Sequence, residues 1–101
     1  MINLIPTIIM IKKLLTKYND TGDLNERLIL NHIILLNNVF GPEATARILF
    51  YKIDERDYDI LKTFLSYLNI SPDIVYGING KNVDVAKIPL DVNVLQTLKQ
   101  I

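Results

Sequence analysis

Residues 24–40 constrain this chain more than any other segment, because they read as a helix that is apolar on nearly every side. At about 100° per residue, Leu24, Leu28, Leu35 and Val39 fall on one strip and Ile29, Ile33, Leu36 and Phe40 on a second. Leu30 and Ile34 make a third. One-sided packing cannot satisfy such a helix. It is either the central helix of a small core or half buried in a partner. Asn25 and His32 stand between the first two strips, seven residues and about 10.5 Å apart along the axis. With Val39 to one side of their line and Leu36 to the other, the line is expected to be mostly buried. His32 then hydrogen-bonds a backbone carbonyl or a partner subunit and fixes the pairing register. On this reading His32→Asp destabilises by roughly 2 kcal/mol. Acidification opposes an assembly that buries the ring neutral.

The flanking sequence supplies the other elements. Pro6 suits a first helical turn, and Ile8, Ile11, Leu14, Leu15 and Tyr18 share a face opposite Lys12, Lys13, Thr16 and Lys17. A first helix is therefore predicted over 6–18, with Ile9 stranded among the lysines. Asn19-Asp20-Thr21-Gly22 is turn chemistry, and Asp23 with Glu26 resembles a capping box for the second helix. Gly41 ends that helix. Pro42 and Glu43 open a third, to about Ile53, at a sharp angle to the second. Asp54 begins a fourth with the stripe Tyr58, Leu61, Phe64, Leu65 and Leu68. Ser71-Pro72-Asp73 could cap a further short turn, and Asn79-Gly80 signals a minor β-hairpin over 76–85. Asp91 can cap a last helix carrying Val94, Leu95, Leu98 and Ile101 on one side.

The prediction is a single mainly-α domain over 1–101, a small helical bundle around 24–40 with that C-terminal hairpin. The contacts of the central helix are expected from Ile8, Ile11, Leu15, Phe50, Leu61, Phe64 and Leu65. At 101 residues the chain suits one core.

Composition narrows function by exclusion. Without cysteine there are no disulfides, zinc-thiolate sites or thiol nucleophiles. Eleven basic and eleven acidic side chains cancel, which removes a bulk electrostatic pull on nucleic acid while leaving room for a local basic face. The N-terminal apolar run precedes its lysines, the reverse of a secretory signal, and falls short of the roughly 20 residues a spanning helix needs. A soluble cytoplasmic protein is expected.

Each candidate site has a plainer reading beside it. His32 is the sole histidine, its four-residue neighbours are Leu28 and Leu36, and a polar group satisfied in the core or at an interface outweighs a metal ligand. Asp54, Glu55, Asp57 and Asp59 invite a magnesium reading, but acids opening a helix serve its dipole and its first amides. The 19–23 loop lacks a calcium loop's alternating acids, with Leu28 where the glutamate belongs. No phosphate loop, nucleophile elbow or convincing carboxylate pair occurs, so the chain is predicted to be non-enzymatic and without cofactor.

Residues 33–50 resemble a helix-turn-helix, with the hairpin as a wing. Asn37 takes the place of the small residue four before the turn glycine, and Glu43, Thr45, Arg47 and Lys52 offer phosphates little excess charge. Arg47, Lys52 and Lys81, or the face of Lys12, Lys13 and Lys17, are the candidate nucleic-acid contacts. Three lysines without tryptophan make a weak membrane anchor, so a solvated face is the better reading.

The run Gly22-Asp23-Leu24-Asn25-Glu26-Arg27-Leu28-Ile29-Leu30-Asn31-His32-Ile33-Ile34, followed by Asn37-Asn38-Val39-Phe40-Gly41, resembles a group of short proteins of marine T-even-like bacteriophages. Lys62-Thr63-Phe64-Leu65 and Ile88-Pro89-Leu90-Asp91 are similar to that group's later segments. The resemblance covers most of the chain and carries no activity, cofactor or site residue. It implies a phage protein acting in an infected bacterial cell, and among small phage proteins it favours binding a host protein or assisting replication or transcription. The leading expectation is a self-associating protein-interaction module, a homodimer built through the apolar helix and its surplus apolar positions, Ile9 and Tyr51 among them. The alternative is a small nucleic-acid-binding protein.

Overall fold

The computed structural model describes residues 4–71, 88 and 90–101. The described chain runs as α1 (Ile5–Thr21), α2 (Glu26–Lys52), a 3-10 turn (Glu55–Asp57), α3 (Tyr58–Tyr67) and α4 (Val92–Gln100). The predicted hairpin over 76–85 and the turn after Ser71 lie outside the described residues.

Pro6 stands in the first turn of α1, and the helix ends on Gly22, whose left-handed φ of 75° lets its N–H reach the Tyr18 carbonyl at 2.8 Å. Ile8, Ile11 and Leu15 are buried, while Leu14 and Tyr18 sit at the rim. The helix runs three residues past the predicted end, helped by the Thr21 hydroxyl donating to the Lys17 carbonyl at 2.8 Å.

The start of α2 corrects the sequence reading. Asn25 is the N-cap, its Oδ1 accepting the Leu28 N–H at 3.3 Å, and Asp23 instead pairs with Lys17 at 3.4 Å. Asn25 therefore stands just outside the helix and is exposed, because a cap must turn its side chain back onto the first free amides.

Gly41 breaks α2 into two arms, 26–40 and 42–52. Its φ of 83° and ψ of 170° belong to a region reserved for glycine, and Pro42 follows with no N–H to continue the ladder. The expected pair of helices with a break at Gly41-Pro42 is what these two arms form, on either side of a kink.

Asp54 caps the 3-10 turn through the Arg56 N–H, and α3 buries Leu61, Phe64 and Leu65. Tyr58 leans edge-on against Phe50, ring centroids 4.9 Å apart, and its hydroxyl donates to the Phe50 carbonyl at 2.7 Å. Asp91 caps α4, which buries Leu98. The four helices share one core of Ile8, Ile11, Leu15, Ile29, Ile33, Leu36, Ile48, Leu49, Phe50, Leu61, Phe64, Leu65 and Leu98. All seven residues expected to surround the central helix belong to it.

Candidate interaction surface on the first arm of α2

The three apolar strips of residues 24–40 meet three different fates. Ile29, Ile33 and Leu36 are fully buried, with Phe40 half-buried at the elbow. The strip of Leu28, Leu35 and Val39 stays outside, exposed by 37%, 42% and 44%. From the third strip, Leu30 is half-buried and Ile34 is 39% exposed. The core is thick enough to cover one side of the arm, and the other side remains apolar and open.

Spacing makes this open side a line. Leu28, His32, Leu35 and Val39 follow one another at intervals of four, three and four, the heptad spacing by which two helices pack side by side, with Asn25 at the N-cap three residues before them. Leu28 and Val39 lie near the ends of the arm, and His32 marks its centre. His32 is half-buried, on the boundary between the core strip and the open one. It makes no hydrogen bond or ion pair among the described residues. The burial expected for the Asn25–His32 line is thus partial at His32 and absent at Asn25 within the isolated chain. The physical reason is the capping role of the one and the direction of the core for the other.

The flanks are uncharged. Asn31 and Asn38 lie exposed along one edge, and no charged side chain occurs between Arg27 and Glu43. A water-facing helix side ordinarily carries charge, so both edge and centre have the composition of a buried contact. Leu28, Leu35 and Val39 form one exposed apolar strip, with Ile34 apart from it beyond Asn31 and Asn38. A stable dimer buries roughly 800 Å² per partner, so a contact of that kind extends well beyond this strip.

The basic candidates divide into a group around Lys12 and two that stand apart. Lys12 and Lys52 line one cleft with Thr16, Arg56 and Asp57. Burial, and secondarily the neighbouring Lys12, hold the Lys52 ammonium below its ordinary value of 10.5, and it donates to the Ile101 carbonyl at 2.7 Å. Lys13 borders a second cleft with Ile9 and Ile101, which gives Ile9 the neighbour it lacked in the sequence. Lys17 pairs with Asp23. Arg47 is 12% exposed and is held by Glu43, four residues before it, through Nη2 at 3.1 Å and Nε at 3.2 Å. Lys81 lies outside the described residues. Among the described residues Lys12 stands in both clefts, with Lys13 in one and Lys52 in the other, while Lys17 and Arg47 are each held by an acid.

The acids open the 3-10 turn and α3 as expected of caps, with one exception. Asp57 is buried and accepts the Asn19 Nδ2–H at 2.8 Å, a tie between α1 and the turn that sequence spacing does not announce. Burial, then Glu55 and Asp54, push the neighbouring Tyr58 phenol above its ordinary 10.0. Among the described residues no group of His, Asp or Glu is placed to hold a metal ion. No described helix is long and apolar enough to cross a membrane.

Residues 5–101 match the family of unknown function DUF7207, and the chain belongs to that family. No curated protein and no solved structure matches it.

Proposed function

We propose that this member of DUF7207 is a non-enzymatic interaction module that acts as a homodimer, with the first arm of α2 packed along the same arm of a second copy. The observation that supports this reading is the open strip of Leu28, Leu35 and Val39 at heptad spacing on an arm without charge. A second copy suits it because the repeat is its own complement, whereas a charged partner would find nothing to pair with. Several polar side chains elsewhere hold the fold, Lys52 on Ile101, Asp57 on Asn19 and Arg47 through Nε and Nη2 on Glu43, while Asn37 Oδ1, Thr45 Oγ1 and Arg47 Nη1 are buried without a hydrogen-bond partner among the described residues. The reading places the protein in the cytoplasm of an infected bacterial cell, on the strength of its resemblance to phage proteins. There the dimer would present its remaining surface to a host or phage protein.

Light scattering behind a sizing column tests the assembly. The native chain is expected at twice its 11.6 kDa mass and the Leu35→Glu variant at 11.6 kDa. Native chain eluting as a monomer at micromolar concentration removes the proposal. Nucleic-acid binding through Lys12, Lys13 and Lys52 is the competing outcome. Its mark is a gel shift at low salt that fades steeply as salt rises and is lost on charge reversal at those lysines.

A further inference from the structure

The repeat carries orientation as well as partner. Within the helical arm, His32 and Val39 occupy its first positions, Leu28 and Leu35 its fourth. Leucine at the fourth position, with β-branched or polar side chains at the first, is the pattern of parallel two-stranded pairs. A polar residue at a first position packs there against its own copy and sets the register.

We propose that the two copies pair in parallel and in register, so that His32 meets the partner's His32 on the symmetry axis. This rests on the dimer reading above and adds its geometry.

Hydrogen bonding separates the two orientations. In an antiparallel pair, first positions face fourth positions, so each His32 packs on leucine, and two imidazoles lose water without gaining a polar partner. In the parallel pair, the N–H of one neutral ring donates to the bare nitrogen of the other, and one hydrogen bond satisfies both centres. Asn31 and Asn38 along the edge carry no charge to oppose either arrangement.

The chain contains no cysteine, so single introduced thiols report orientation without interference. Leu35→Cys and His32→Cys are each oxidised gently in the full chain, with Gln96→Cys on the exposed side of α4 as control. Parallel in-register pairing brings like positions within the roughly 4.4–6.8 Å between Cα atoms that a disulfide needs. Each of the two strip variants is then expected to run mostly as a covalent dimer, reversed by reductant, and the control as monomer. Antiparallel pairing gives the opposite pattern: neither variant crosslinks alone, and a mixture of the two forms the mixed dimer. That result overturns the parallel geometry and leaves the dimer reading standing. Native chain that is monomeric by light scattering, with no crosslink in any variant, overturns both.

Discussion

Gly41 sets the angle between the two arms of α2, and it does so through its backbone alone. A Cβ built there meets nothing within 4 Å, yet φ of 83° with ψ of 170° is closed to other residues. Gly41→Ala is expected to cost on the order of 1–3 kcal/mol of strain, read as a lower urea midpoint with unchanged slope. The Asn19–Asp57 hydrogen bond is the other single contact on which the body depends. Asn19→Ala leaves a buried carboxylate without its donor and should cost about 1–3 kcal/mol, while the same change at exposed Gln96 should be near neutral. Neither position was equally legible. Gly41-Pro42 announces a break in any sequence, whereas Asp57 was read among four helix-opening acids and nothing local distinguishes the one that folds inward. Asn25 was misplaced for a related reason: Asp23 and Asn25 are both good caps, and nothing local says which of them the first free amides will use.

The helices themselves follow from periodicity. Ile8, Ile11 and Leu15 on α1, and Leu61, Phe64 and Leu65 on α3, are each spaced to form one stripe, and each stripe is buried. The first arm of α2 has three stripes, so its pattern says that it is apolar but not which way it faces. Only the positions of α1 and α3 decide that Ile33 goes inward and Leu35 outward. Two clues to the open face were present in the chain, the absence of charge between Arg27 and Glu43 and the three-four spacing through His32. Arg47 illustrates the converse, since Glu43 one turn earlier already marks it as an internal ion pair rather than a phosphate contact. The two faces should respond differently to the same truncation. Ile33→Ala opens the core and is expected to cost about 2–5 kcal/mol in the monomer. Leu35→Ala should leave monomer stability within about 0.5 kcal/mol while weakening association. Denaturation of both variants at low protein concentration separates these outcomes, and equal losses would mean that Leu35 is covered within its own chain.

For the whole molecule, the proposed dimer would set His32 against its own copy in a setting without charge. Apart from His32, the first arm has ionisable groups only at its start, Glu26 and Arg27, and Glu43 follows beyond the Gly41 break. The body behind it carries Lys12, Lys13, Lys17 and Asp20 on α1 and Asp59 on α3, and none forms an ion pair with His32. His32→Asn, which can pair with its own copy, should keep the dimer. His32→Asp should separate the chains while leaving the half-exposed position folded, since two carboxylates would face each other across the axis. Sedimentation equilibrium of the native chain beside Leu35→Glu tests the assembly itself most directly. The predicted result is a native mass of twice 11.6 kDa at micromolar concentration near neutral pH, and 11.6 kDa for the variant. A native chain that remains at 11.6 kDa under those conditions, or a variant as dimeric as the native chain, contradicts it.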